Sequence, residues 1–393
     1  MKKGPRLSPV SATVATARDK YKNMSSQPNH VERSSTSASL HLLSQLLLSD
    51  PPLELSSNGD LPAELQEFSS WNDDEITRFL TVADLHHVTV RALQKILAFP
   101  IESTVAEKLE TALAAERARI ARAISVLDSI CRELENAGCA AVVIKSLDHW
   151  PDLGSDLDLY TSGPEHLIVR IMKKRFAASL LTRSWGDRLA HKWNFRLPCL
   201  NEPVEVHVGC LGQTGEHLNL ARRVSTHAVG RQVDGHAFRV PAIEERLIIV
   251  TLQRMYRHFY FRLCDIVDTA KLLQEQEVNF ARLKAAAEAG GIWPGVATLL
   301  VIVAEYCRTY GKHLTLPDDV VASASYRANM LQIRGDFLRI PIVPQAAGLF
   351  ARQVLQAAYQ RNLRTVSRLT LLPGLAAAAL IAYKISGDDK GIW

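Results

Sequence analysis

The feature that most constrains this chain is a pair of short acidic stretches, Gly154-Ser155-Asp156-Leu157-Asp158-Leu159 and, further along, Val204-Glu205-Val206-His207-Val208. Val142 to Ile144 reads as a buried strand. A polar turn follows, and then the aspartates and leucines alternate with a period of two. In a strand, residues two apart share a face, so Asp156 and Asp158 project together while Leu157 and Leu159 point into a core. Glu205 and His207 have the same relation, with three valines opposite. If the two strands are neighbours, three acidic groups converge. Like charges so placed raise each other's pKa. A divalent cation relieves this, and Mg2+ takes carboxylate oxygens while bridging to substrate phosphates. The plainer reading is a strand with a solvated acidic face.

The Gly-Ser pair followed by Asp-x-Asp resembles the signature of the polymerase-beta-like nucleotidyltransferases. Its surroundings are similar to one branch, the uncharacterised bacterial nucleotidyltransferase family. That branch has a lysine at a strand end, a short loop, the Asp-x-Asp strand and a later acidic-x-His strand. The resemblance runs from Leu42 to Leu273. It implies that Asp156, Asp158 and Glu205 hold metal, that His207 joins the catalytic group, and that Lys145, Gly154 and Ser155 meet the nucleotide. Ser146 stands where the branch usually has glycine. Glu205 stands where many superfamily members have aspartate, and the added methylene changes its reach.

With 393 residues, 47% of them apolar, the chain can bury a large core in more than one subdomain. The fold class expected is α+β, with a small mixed sheet carrying the D-x-D and E-x-H strands between N-terminal and C-terminal helical regions. The boundaries read as a basic leader over 1–37, a helical region over 38–138, a catalytic core over 139–240 and a helical domain over 241–393. The leader holds seven basic and two acidic residues, so the formal charge of +5 lies there and the rest is neutral. A neutral body gives no net-charge case for nucleic-acid binding. The leader is rich in Ser, Thr and Pro and reads as disordered. It also lacks the apolar run of a secretory signal. Six scattered cysteines without a CxxC pair read as reduced thiols, which suits the cytoplasm.

Within the core, Trp185 to Leu197 reads as a hairpin carrying Arg188, His191, Lys192 and Arg196. These face either the nucleotide and acceptor or solvent. Val233 to Val240 reads as a second hairpin turning at Asp234-Gly235. From Ile243 to Gln274 the pattern is helical, which sets Arg254, His258, Arg262 and Asp265 on one side. Asp268 follows, and this row resembles a helix packed over the family's active site. A structural or substrate-orienting role is expected for His258, Arg262 and Asp268. His86 and His87 are assigned to a helix end, and Asp152 to a turn. Helices are expected through the C-terminal third, including one running to Met330. Leu369 to Ala382 is apolar but interrupted by Pro373 and Gly374, and it is shorter than the roughly 20 residues of a membrane span. It reads as a core or interface helix. With Arg361, Arg364 and Arg368 before it, peripheral membrane contact is the other reading.

The expected activity is Mg2+-dependent (or Mn2+-dependent) transfer of NMP from an NTP to a hydroxyl or phosphate, releasing pyrophosphate. The acceptor is a small molecule, a peptide or tRNA. Two alternatives stay open: a nucleotide-binding regulatory protein without turnover, and a toxin-like enzyme modifying tRNA.

Overall fold

The computed structural model describes residues 30–50, 52–53, 62–68, 71–275, 277–325, 331–334, 336–340 and 346–386. Most of the basic leader lies outside these residues, and the helix expected to reach Met330 ends at Ser323, where Ala324 turns extended. Helix α1 (His30–Leu48) begins inside the stretch read as leader and is followed by α2 (Ala63–Phe68), α3 (Asp73–Leu85) and α4 (Thr89–Ile96). At the start of α3, the Asn72 side chain accepts from the Asp74 and Glu75 N–H groups while the Glu75 carboxylate accepts from the Asn72 N–H. This reciprocal cap satisfies donors the helix itself leaves open. The long helix α5 (Ser103–Asn136) buries Leu109, Leu113, Ile120, Ile124, Leu127 and Ile130 as one stripe. Gly138, in the left-handed region, turns the chain out of α5.

Next come β1 (Ala141–Val143), a single tight turn at Ser146–His149, β2 (Leu157–Thr161), α6 (Glu165–Phe176), β3 (Ser179–Leu180), α7 (Trp185–Leu189), β4 (Lys192–Arg196) and β5 (Val204–Val208). The five strands form one mixed sheet in the order β1-β2-β5-β4-β3, with β2 and β5 parallel and the other pairs antiparallel. Val204, Val206, Leu157 and Leu159 are fully buried, so the apolar face of the alternation is packed. The expected hairpin over 185–197 is half replaced: Ser184 caps the short helix α7, and β4 instead pairs back to β3.

Helix α8 (Leu218–Thr226) leads to the hairpin of β6 (Val229–Val233) and β7 (His236–Val240). Asp234 and Gly235 both have positive φ, the geometry a two-residue turn demands. The expected helix over 243–274 is broken. Helix α9 (Ile243–Thr251) widens into a π-helical segment at Leu252–His258, and Phe259 adopts a left-handed conformation. Tyr260–Phe261 forms β8, and α10 (Leu263–Glu275) follows. The reason is tertiary. β8 pairs with a later strand, and the Tyr260 ring packs 4.4 Å from that of Phe337. Pairing of aromatic residues in the sheet outweighs a weak helical preference.

The C-terminal part contains α11 (Phe280–Ala289), α12 (Trp293–Arg308), α13 (Asp318–Ser323), β9 (Gln332–Arg334), β10 (Phe337–Arg339), α14 (Ala347–Tyr359) and α15 (Leu363–Ser386). Pro373 lies within α15 and does not interrupt it. Proline there removes one backbone bond, to the carbonyl four residues earlier, and the flanking turns carry the helix on. Among the described residues no helix is long and apolar enough to cross a membrane. The architecture is thus α+β, a small central sheet flanked by helical regions.

Candidate metal and nucleotide site

Parallel pairing of β2 with β5 sets Asp158 opposite Glu205 and Tyr160 opposite His207. Antiparallel pairing of β4 sets Asn194 opposite Glu205 and Lys192 opposite His207. Directly opposed residues share a face, so Asp158, Glu205, His207, Lys192 and Asn194 occupy one side of the sheet. Arg196 continues that row to the edge and is exposed. Asp156, immediately before β2, is half-buried.

Asp158 is 2% exposed and His207 6%. The Lys145 Nζ lies 2.8 Å from Asp158 Oδ1. His207 Nε2 lies 3.6 Å from the same oxygen, too far for an ordinary hydrogen bond. Lys192 Nζ donates to Glu205 Oε2 at 2.9 Å and also sits 3.5 Å from Asp187. The half-buried Lys145 and the buried Lys192 therefore partly neutralise three carboxylates. Burial and the neighbouring Asp158 push the Asp156 carboxyl up to about 6. Burial opposes charge on Asp158 as well, yet the Lys145 ammonium beside it holds it below the usual carboxylate range. Burial also pushes His207 below the usual histidine value, so the ring is neutral.

Ser146 ties this edge together. Its Oγ accepts from the Asp158 N–H at 2.8 Å and donates to the Asp156 carbonyl at 3.2 Å. Hydroxyl chemistry at this position fixes the backbone of both aspartates, which glycine cannot do. Ser146→Ala is expected to cost about 1–3 kcal/mol, because it leaves the buried Asp158 N–H without a partner. Chemical denaturation measures this. Unchanged stability would mean the Ser146 bond contributes nothing.

Two clefts flank the carboxylates. Lys145 and His207 line one, together with residues of the π-helical segment, α14 and α15. Gly154 and Ser155 line another, with Asp84, His87, Arg119 and Arg262. Several polar atoms are buried without a hydrogen-bond partner among the described residues: both His207 nitrogens, Asn194 Oδ1, His87 Nε2, Arg257 Nε, His258 Nδ1 and Arg262 Nε. Burial and the adjacent Arg257 and Arg254 push His258 down to about 2, so it is neutral. Buried polar atoms without partners are costly unless a ligand or solvent satisfies them.

The break in the helix over 243–274 separates the polar row expected on one face. Arg254 still meets Asp265, at 2.7 Å, with each about 2% exposed. Arg262 turns to the Gly154-Ser155 cleft. Asp268 joins a different group: it accepts from Arg91 Nη1 at 2.5 Å and lies 2.5 Å from His149 Nδ1. Arg91 Nε donates to Asp152 at 2.7 Å, and Asp152 also accepts from the Val90 N–H. Asp152 is therefore a buried anchor holding the N-terminal helices to the loop before β2. His86 is likewise structural, its Nδ1 accepting from the Leu263 N–H.

Two groups of side chains among the described residues have geometry capable of holding a metal ion: Asp158, Glu205 and His207, and His149, Cys264 and Asp268. In the second group Asp268 is already engaged by two cationic partners, which makes a stabilising cluster the simpler account. The first offers carboxylate oxygens of Asp158 and Glu205, a donor set suited to a hard ion, and each carboxylate is paired with a lysine, Lys145 and Lys192. Asn194 escaped the sequence reading, and Lys192 entered it only as one of four cations facing either the nucleotide and acceptor or solvent. The alternation Lys192-Asn194-Arg196 was the available signal, but only the register of β4 against β5 gives it meaning.

No protein-family model and no curated protein matches this chain. Among solved structures, it is similar to an antigenic nucleotidyltransferase-like protein from Paracoccidioides brasiliensis, at 13% identity and a TM-score of 0.31, over 50% of this chain and 95% of that one. The likeness is weak and partial, and it reaches a nucleotidyltransferase-like protein without singling out the bacterial family that the motifs resemble.

Proposed function

We propose that this chain is a divalent-metal-dependent nucleotidyltransferase. One observation carries the reading: the register that sets Asp158 beside Glu205 on one sheet face, with Asp156 at the head of the strand and a cleft at Gly154-Ser155. Asp156, Asp158 and Glu205 would hold Mg2+ or Mn2+, which when bound lowers the barrier by neutralising charge that builds on the transferring phosphoryl group. Ser155, the neighbouring backbone N–H groups and Arg262 receive the triphosphate. The acceptor hydroxyl oxygen forms a bond to the α-phosphorus, the bond to the bridging oxygen of the β-phosphate breaks, and pyrophosphate leaves with that electron pair. Glu205 takes the hydroxyl proton. Lys145 holds Asp158 ionised and in place, and the buried surroundings strengthen each interaction.

The test is calorimetric titration with nonhydrolysable NTP analogues and Mg2+, followed by incubation with α-labelled NTP and cell extract. Mg2+-dependent binding and label transfer are the expected results. Absence of both sinks the reading. The Lys192–Glu205 ion pair favours one alternative, a nucleotide-binding protein without turnover, because that ammonium occupies one Glu205 oxygen. Tight Mg2+-dependent binding with no label transfer under any condition would select it.

A further inference from the structure

We infer that His87, two residues beyond α3, contacts the phosphates of the nucleotide and forms an anion-binding pair with Arg262. This inference rests on the nucleotidyltransferase reading and brings the N-terminal helical region into the same site. The fold itself sets the two side chains together. The preceding residue, His86, is sewn to the chain just past Arg262. Its Nδ1 accepts from the Leu263 N–H at 2.8 Å, its carbonyl accepts from the Cys264 N–H at 3.3 Å, and its Nε2 donates to the Asp336 carbonyl at 2.7 Å. His87 then takes a positive φ, the left-handed conformation that histidine adopts more readily than most side chains. Its ring lies against Gly154 in the cleft that Arg262 also lines.

Both side chains carry buried nitrogens without partners among the described residues, His87 Nε2 and Arg262 Nε. Burial first, and then the Arg262 charge, push His87 well below the ordinary histidine value, so the ring is neutral. A neutral imidazole and a guanidinium both offer N–H groups, and such bonds to a charged acceptor are strong. Arg119, the other cation lining the cleft, is already held by Glu116 and Glu202. Asp84, the carboxylate lining it, is exposed.

Gly154 supplies an independent observation. Its φ lies outside the left-handed region, and a Cβ added there would meet nothing nearer than 3.7 Å. Neither strain nor crowding within the fold calls for glycine. The point such a Cβ would fill has Asp156 Oδ1 at 3.7 Å and His87 Nε2 at 4.0 Å. A phosphate oxygen seated there, slightly nearer the ring, takes the His87 hydrogen bond and faces an ion held by Asp156.

Inorganic tripolyphosphate with Mg2+ serves as the probe, titrated by calorimetry into the full chain beside a nonhydrolysable NTP analogue. His87→Ala removes the donor, His87→Gln keeps an N–H at similar reach, and Gly154→Ala fills the point with a methyl group. Binding of both ligands should weaken roughly tenfold or more in His87→Ala and Gly154→Ala, with part of the loss recovered in His87→Gln. Gly154→Ala should also unfold at the wild-type denaturant concentration or above it, because an unstrained change from glycine to alanine narrows the unfolded ensemble. That readout separates a lost contact from a damaged fold. Wild-type affinity in His87→Ala or Gly154→Ala overturns the inference, as does His87→Gln binding no better than His87→Ala. Mg2+-dependent analogue binding that is indifferent to all three variants removes the His87 contact and leaves nucleotidyl transfer standing. Tripolyphosphate binding that is weakened in His87→Ala, without analogue binding in any protein, upholds the anion site and overturns nucleotidyl transfer.

Discussion

Asp156→Asn and Asp158→Asn are expected to abolish Mg2+-dependent nucleotide binding alike, yet to move the stability of the metal-free protein in opposite directions. In the proposed mechanism each removes one carboxylate from the cluster that would hold a metal ion against the phosphoryl group, so transfer should fall on the order of 1,000-fold or more in either variant. The stability effects differ because the two groups have different partners. Burial and Asp158 push the Asp156 carboxyl up to about 6, above its unfolded value of 3.8. Its ionised form is therefore disfavoured by the fold, and the penalty is present at pH values above about 6. Replacing it with a neutral amide should stabilise the metal-free protein at pH 7.5 by roughly 1–3 kcal/mol.

Asp158 behaves in the opposite sense. Its carboxyl is held below the ordinary value, so its contribution is present above the unfolded pKa and is lost as pH falls through the folded one. Lys145, which is raised by Asp158, Asp156 and Glu205 against the effect of burial, depends on that charge. Asp158→Asn leaves a buried ammonium short of its nearest counter-ion and should cost about 3–5 kcal/mol. Thermal unfolding in EDTA at pH 7.5 reads both effects. Shifts of the same sign would mean that the charges are not arranged as described, and retained Mg2+-nucleotide binding in both variants would remove the site.

Much of this arrangement is legible in the sequence, for a physical reason. Asp156-Leu157-Asp158-Leu159 and Val204-Glu205-Val206-His207-Val208 are period-two patterns, and such patterns state which side chains share a face before any partner is known. The stripe of α5 and the Asp234-Gly235 turn are equally local. What the sequence leaves open is pairing. Nothing in Lys192-Trp193-Asn194 says that β4 lies beside β5, so Lys192 looks like one member of a solvated charge run until the register joins it to Glu205. Ser146 illustrates the same limit, because its bond to the Asp158 N–H spans a loop. The helix over 243–274 fails for the reverse reason. Its local pattern is helical, but Tyr260 and Phe261 find a sheet partner far along the chain, and long-range packing wins.

Asp268 provides the second large effect, and it separates a positioning residue from a catalytic one. Asp268→Asn deprives Arg91 and His149 of their shared carboxylate in a buried network, for an expected loss of about 3–5 kcal/mol. Metal-dependent nucleotide binding should survive at temperatures where the variant is folded, because none of the three touches Asp156, Asp158 or Glu205 in the contacts described above. The network also titrates. Burial opposes charge on His149, but Cys264 and Asp268 together raise it well above its usual value, while Arg91 and His149 hold Asp268 low against burial. A histidine raised on folding contributes stability that is fully present below its unfolded value of 6.5 and is lost as pH rises through the folded one. Wild-type stability should therefore decline from pH 6.5 upward, and His149→Gln should flatten that decline while lowering stability at acid pH. Denaturant unfolding across pH 5.5 to 9 measures both slopes. If His149→Gln has the wild-type slope, the ring is neutral in the folded protein, and Arg91 alone balances Asp268.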